Sequence, residues 1–403
     1  MNRIKEKWNK QTEQQKQIWY IFLLLLPFFE PGLISLHGPF MRIFYNAGQV
    51  ISSLVMFKLF VCELWKERRM STGLLAMTVM QAWMAVVVLI NQGLDKAAFL
   101  GIISIMVVSV IIDYFARRNA RALLEAFLRL YELLIALNFV TMLLFPKGMY
   151  FAPTDVSWMN WLLGYRNMFL FYFVPALALE LINKHMTGRG KRFYIMLAIC
   201  SASMLLSTSK TGLLGMLAFV FLYFTGLYLK KGCNILSVLG VGLAAEIGIV
   251  FLKMQNMFAP LFALLGREVT FTGRTEIWER TIKMIRENPL LGYGIQPADV
   301  RGRAMRLWEG VKAHNLVLEQ QYCFGLIGSL LMIVFVAVFV IKLYKNRKHP
   351  YAASLTLGMV SYVLLMLMES QINNVPMYSF FFLACCADML IAQLPVGASS
   401  KKG

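Results

Sequence analysis

Val317–Tyr344 reads VLEQQYCFGLIGSLLMIVFVAVFVIKLY, and from Tyr322 to Ile341 it carries no charged side chain. A helix crossing a bilayer takes about 20 predominantly apolar residues, so this stretch can cross with its ends among the headgroups. Outward from it, comparable runs recur at about 18–36, 46–64, 72–90, 97–115, 122–145, 167–182, 193–209, 211–229, 233–252, 352–370 and 378–394. Hydrophobic types make up 59% of the 403 residues and charged types 15%, against about 45–50% and 25% in soluble domains. The composition excludes a soluble enzyme, a disordered chain and a secreted disulfide scaffold. It predicts an all-α polytopic membrane protein of about 12 transmembrane helices, forming one integral domain over 1–403.

Lysine and arginine resist translocation, so loop charge sets orientation. Taken alternately, one set of short loops and termini holds 22 cations and the other five (Arg42, Lys96, Lys147, Arg166 and Lys210). The alternation predicts two cytoplasmic termini, a segment 1–17 and a tail 395–403. The net charge of +19 is then read as cationic loops against an anionic leaflet and not as nucleic-acid binding. The start, MNRIKEKWNK before an apolar run, has no small-residue cleavage site and is read as an uncleaved first helix. The six cysteines form no CxxC or Cys/His cluster, so neither a disulfide framework nor a metal site is expected.

One segment departs from the charge rule. Residues 253–316 fall on the outer side yet carry ten cations and six acids; long translocated loops escape the rule. Thr272 is a candidate N-cap for a helix to about Glu287, with Ile277, Trp278, Ile282 and Ile285 as an apolar stripe. Pro289 stops it, and NPLLGYGI (288–295) turns the chain. The loop is read as an amphipathic helix over the outer mouth of the bundle. Its charge fits either a solvated helical face or an anion-binding site.

The topology brings distant polar groups to one membrane boundary: Arg166-Asn167 at the sixth run, Ser207-Thr208-Ser209-Lys210 between the seventh and eighth, Arg274 in the loop, His314-Asn315 before the tenth, and Glu369 and Asn373 near the end of the eleventh. Arginine offers a planar fork for phosphate oxygens, and histidine moves protons near neutral pH. Taken singly, each has a plainer reading. A loop histidine is more often a surface residue, Ser and Thr can bond turn backbone, and Arg166 can snorkel to headgroups.

Four blocks, STSKTGLLG (207–215), GRTEIWER (273–280), NPLLGYGI (288–295) and HNLVLEQQYCFGLIG (314–328), together resemble the O-antigen ligase/polymerase family of Wzy-type polysaccharide polymerases and WaaL-type ligases. The resemblance implies a GT-C-like membrane enzyme of the cell envelope, a metal-independent inverting glycosyltransferase without cofactor. It moves glycan from an undecaprenyl-diphosphate-linked oligosaccharide to an acceptor sugar hydroxyl at the outer leaflet. By it, His314 is the catalytic base, and Arg274 stabilises the departing diphosphate with Lys210 and Arg166. Ser209, Asn167, Asn315 and Glu369 support them. Lys210 stands where the family has arginine, keeping the charge but losing the fork. Membrane lipid, a flippase and chain-length regulators are the implied partners. Polymerase is preferred to ligase on family frequency alone.

A lipid-linked glycan flippase or other transporter is the competing class. Its candidates are Glu125, Arg129 and Glu132 in the fifth run and Asp388 in the twelfth, since intramembrane ionisable groups mark transport paths. Arg129 is alternatively expected to pair with both acids at i−4 and i+3. No repeat of the kind transporters show is evident.

Overall fold

The computed structural model describes residues 2–67, 70–152, 157–252, 274–307 and 312–397; the expected cap Thr272 and the end of the tail, 398–403, lie outside them. The apolar runs become helices: α1 (Asn2–Leu25), α3 (Pro39–Glu67), α4 (Thr72–Gln92), α5 (Lys96–Arg118), α6 (Ala120–Leu144), α7 (Phe169–Thr187), α8 (Lys191–Ser207), α9 (Lys210–Phe224), α10 (Ile235–Glu246), α13 (Leu316–Lys345), α14 (Pro350–Met366), α15 (Val375–Cys385) and α16 (Ala387–Gln393). The long loop holds α11 (Arg274–Glu287) and α12 (Ala298–Met305). The first run, expected as one span, is divided. Pro27 lies in a 3-10 turn after α1, and Pro31 precedes the short α2 (Gly32–His37), because proline lacks the N–H that would continue a helix.

Side chains set many of these boundaries. Ser71, Asp95, Asn119 and Asn374 accept hydrogen bonds from Leu74, Ala98, Ala122 and Met377 N–H, capping α4, α5, α6 and α15 by supplying an acceptor to an otherwise orphaned donor. Among the described residues, five helices are long and apolar enough to cross a membrane: Pro39–Cys62 of α3, α4, α5, α6 and α13. A sixth is added if α15 and α16, bent by 63°, count as one span. The expected count of about 12 therefore meets a helix in each run but fewer full-length spans. Helix α9 is typical of the short ones. Ser209 caps its start and Thr225-Gly226 end it, leaving 15 residues, roughly 22 Å against a hydrocarbon core of about 30 Å.

Helix α7 is the centre of the bundle. Phe169 through Asn183 are all buried, as expected of a helix apolar on every side. Helix α14 packs along it, where the Tyr362 hydroxyl donates to the Phe171 carbonyl at 2.9 Å and Ser361 Oγ to that of Gly215 in α9 at 2.8 Å. Between α6 and α7 lies an element the helical expectation did not include, a three-stranded antiparallel sheet of β1 (Tyr150–Ala152), β2 (Ser157–Trp161) and β3 (Gly164–Tyr165). Its strands are two to five residues long, too short to show the alternation by which strands are read from sequence. Trp161 Nε1 donates to the Phe145 carbonyl at 2.8 Å, and Leu163 N–H to Asn138 Oδ1 at 3.0 Å, tying the sheet to the end of α6.

Helix α13 is broken at Gly325 (φ 63°, ψ −168°), and the NPLLGYGI turn docks into the break. Tyr293 and Gly294 N–H donate to the Tyr322 and Cys323 carbonyls at 2.9 and 2.7 Å, while Leu326 N–H donates to the Pro289 carbonyl at 2.8 Å. Trp83 Nε1 takes the Phe324 carbonyl at 3.1 Å. Backbone groups freed inside an apolar bundle must find partners, and here the loop supplies them.

The ionisable groups considered for a transport path are in ion pairs. Arg129 reaches Glu125 at 3.6 Å, but Glu132 is engaged by Arg192 of α8 at 2.9 Å, correcting the expected Glu125–Arg129–Glu132 triad. Arg192 also contacts Glu125 at 3.1 Å and Glu180 of α7 at 3.3 Å, because α8 starts beside the first turns of α6. Asp388 is held by Lys342 and Asn346.

Gly325 tests the docking of loop to helix. A Cβ there would lie 2.1 Å from the Leu290 carbonyl oxygen, in a region of φ/ψ open essentially only to glycine. Gly325→Ala is expected to lower stability by about 2 kcal/mol or more. Gly226→Asn, at φ 67° with nothing within 4 Å, should melt close to wild type. Thermal unfolding of the detergent-solubilised protein distinguishes the two.

Candidate functional site

The site forms where α14 ends. Residues 367–374 turn back toward α15, and Glu369 N–H donates to the Leu365 carbonyl at 2.8 Å, holding a carboxylate that is 7% exposed. Three distant side chains meet it. Asn167 Nδ2 donates to Oε1 at 2.8 Å, Arg274 Nη2 lies 3.3 Å from the same oxygen, and His314 Nδ1 lies 3.5 Å from Oε2. Ser209 Oγ donates to Asn167 Oδ1 at 2.7 Å while accepting from Gly212 N–H at 3.1 Å as the cap of α9. Arg166 Nη1 donates to Thr208 Oγ1 at 2.9 Å, next to Ser209. Lys210 opens α9 and is exposed.

Four of the expected supporting and cationic residues (Arg166, Asn167, Ser209 and Glu369) thus join Arg274 and His314 in one connected cluster, with Lys210 on the adjoining helix start. Asn315 departs from that plan. Fully buried, it caps α13 through Leu318 N–H at 2.9 Å and donates to Glu246 Oε2 of α10 at 2.8 Å. Its part is to fix the helix that follows His314.

His314 is held in an unusual backbone state, with φ at +48°, a region rarely adopted outside glycine and stored mainly at functional positions. The residue before it is clamped through both of its backbone polar groups. Trp278 Nε1 of α11 donates to the Ala313 carbonyl at 2.9 Å, and Ala313 N–H donates to Glu319 Oε2 of α13 at 2.8 Å. The apolar stripe expected on the loop helix serves this purpose, with Ile277 and Trp278 both 2% exposed. A carboxylate facing Nδ1 favours a proton on that nitrogen, so the Nε2 lone pair is left to act as a base. The imidazole remains 35% exposed and open to a substrate.

Burial alone would raise the Glu369 carboxyl, but the facing His314 ring, the Arg274 charge and the Asn167 hydrogen bond outweigh it and hold it below its ordinary value. Glu369 therefore stays ionised near neutral pH. Among the described residues no three His, Cys, Asp or Glu side chains gather as a metal site would require.

Sequence reasoning passed over two residues that build the site. Glu246 is the lone acid in the run 233–252, and an isolated carboxylate in an apolar run is a functional signal. Glu319 was hidden among the polar first turn of α13, where nothing in the spacing ties it to Ala313.

Fold and site together define an integral membrane protein whose polar cluster is assembled at one end of a helical bundle. Residues 195–333 match the model of the family described as O-antigen ligase. All four blocks that suggested this family lie within that segment, so the resemblance to the O-antigen ligase/polymerase family holds there. The chain is also similar to the Exopolysaccharide production protein ExoQ of Rhizobium meliloti (strain 1021), 35% identical over 82 residues, covering 18% of this chain and 19% of that protein. The chain is thus matched to about a fifth of its curated relative's length.

The Glu369 carboxyl sets a pH signature. Its folded value is depressed, so its contribution to stability is present at neutral pH and lost as pH falls through the ordinary carboxylate range and below it. Glu369→Gln is expected to lower the melting temperature at pH 7 and to flatten its fall between about pH 5 and about pH 3. An unchanged acid limb in the variant would show that other carboxyls set it.

Proposed function

We propose that the chain is a polysaccharide polymerase, transferring glycan from undecaprenyl-diphosphate-linked repeat units to an acceptor sugar hydroxyl. The observation that carries this reading is the shared carboxylate of Glu369, which draws a cationic fork and an imidazole into one cluster within reach of the family-matched segment. In this reading His314 Nε2 takes the acceptor O–H proton as the oxygen attacks C1 of the donor sugar. The C1–O bond to phosphate breaks as the new glycosidic bond forms, inverting the anomeric centre. The electron pair leaves with undecaprenyl diphosphate, whose charge is met by Arg274, Lys210 and Arg166.

The sugar–phosphate bond already carries a good leaving group, so a positioned base and fixed cations suffice for the reaction, without metal or nucleotide. Arg274 keeps Nη2 on Glu369, and this contact orients its guanidinium toward incoming phosphate oxygens. The topology that goes with the reading has about 12 crossings, both termini cytoplasmic and the cluster extracytoplasmic, with a flippase supplying the donor and chain-length regulators as partners. Support comes from the cation-poor loops, whose residues 166, 210 and 369 gather at one end of the bundle. A ligase would share the donor chemistry and differ in its acceptor. The relative's description as an exopolysaccharide production protein favours polymer formation.

His314→Ala is expected to leave the protein inserted and to reduce polymer by about 100-fold or more, with single lipid-linked repeats accumulating. Polymer of wild-type amount and length would exclude the imidazole as base. Arg274→Lys keeps the charge and loses the fork; its turnover should fall by at least tenfold, as read by polymer formed per inserted protein. For the topology, cysteines introduced at Val300 and Lys348 should label from opposite sides with an impermeant maleimide. Equal labelling from outside would discard the arrangement.

A further inference from the structure

Next to Glu369, and separate from the Arg274–His314 cluster, lies a small cavity of about 170 Å³ walled by Gln296, Arg301, Lys312, Glu319, Ser370 and Asn373. It shares two chain segments with the cluster. Lys312 precedes His314 by two residues, and Ser370 follows Glu369 directly, so each segment sends one side chain to the cluster and another to the cavity. A volume of this order holds several waters and is comparable to one sugar ring.

The lining is built and incomplete. The Arg301 side chain is 4% exposed. Its Nη1 donates to Glu319 Oε1 at 2.6 Å, and its guanidinium carbon sits 4.0 Å from the centre of the Tyr322 ring. Its Nε and Nη2 have no hydrogen-bond partner among the described residues. These two N–H groups form one edge of the planar fork, which matches a carboxylate in bidentate fashion. Among the described residues Ser370 Oγ and Asn373 Oδ1, also buried, lack partners as well, offering a donor and an acceptor to hydroxyls.

Glu319 does not reach the remaining Arg301 donors: its Oε1 takes Nη1 and Cys323 Sγ, and its Oε2 takes Ala313 N–H. With Lys312 on the same wall, the unfilled valence is cationic. Leaving such donors buried and unmatched is costly, and an anionic ligand would remove that cost.

We propose that this cavity is the acceptor subsite and that it takes an acidic sugar residue, its carboxylate on the Arg301 Nε/Nη2 edge and its hydroxyls on Ser370 and Asn373. The assignment rests on the transfer reading above. A ring so held lies beside the segment that carries His314, where a neighbouring hydroxyl can give up its proton to Nε2.

The test uses the full-length protein in nanodiscs, with methyl β-D-glucuronide and methyl β-D-glucoside as probes and undecaprenyl diphosphate as a donor-site control. Binding is read by saturation-transfer NMR for the glycosides and by thermal shift for the lipid. The glucuronide should bind at least about tenfold more tightly than the glucoside. Ser370→Leu, which fills the cavity, and Arg301→Lys, which keeps charge without the fork, should each remove that preference while leaving the lipid-induced shift unchanged. Equal binding of the two glycosides, or a glucuronide preference that survives Ser370→Leu, overturns the subsite. Ser370→Leu serves alone if Arg301→Lys does not fold. Failure of the transfer reading, seen as undiminished polymer in His314→Ala, is scored separately from the glycoside binding of the Ser370 and Arg301 variants.

Discussion

A carboxylate withdrawn from water has to be matched by donors or cations, and the one on Glu369 is matched by side chains from three places in the chain. Asn167 follows the small sheet, Arg274 opens the loop helix, and His314 precedes the broken helix. No two of these are close in sequence, so the contact fixes how α7, α11, α13 and the end of α14 stand relative to one another. The same matching orients the imidazole and keeps the carboxyl ionised. Positioning and electrostatics at this site are therefore one interaction seen from two sides.

The surrounding fold serves to hold that contact. Breaking α13 at Gly325 frees carbonyls at residues 322–324, and the loop turn and Trp83 take them up. This anchors the turn that follows α11, while Trp278 anchors α11 itself on the Ala313 carbonyl. These contacts tie residues 278–294 to α13 and to the segment before it. His314 is consequently held with a positive φ by contacts on the carbonyl and the N–H of the residue before it, which is how a strained residue is kept in place.

Charge is used differently in the two ion networks. Around Arg192, three carboxylates from α6 and α7 surround one guanidinium, an arrangement that joins helices and leaves no net cation to offer. Around Glu369 the proportions reverse, with one carboxylate facing Arg274 and His314 and with Arg166 and Lys210 nearby. Cations gathered beside a partly exposed imidazole are what the proposed transfer calls for, whereas the first network joins helices. The cavity at Arg301, lined by Lys312 two residues before His314, adds to this positive charge.

Helicity, membrane residence and the identity of the polar cluster were legible from the chain itself. Apolar runs free of charge force backbone hydrogen bonds to close within a helix, and residues such as Arg166, Ser209, Arg274, His314 and Glu369 stand out against that background. The length of each helix was less legible, since caps such as Ser209 and breaks such as Pro27 depend on single residues inside otherwise uniform runs. The strands at 150–165 escaped notice because two to five residues carry no periodicity. Partner choice belonged to the tertiary structure alone. Glu132 could have met Arg129 one turn away, yet it met Arg192 from α8, and Asn315, adjacent to the histidine, turned to Glu246. Sequence spacing defines neighbours along one helix, but which carboxylate meets which cation across helices is set by how the helices pack, and that is a property of the assembled bundle.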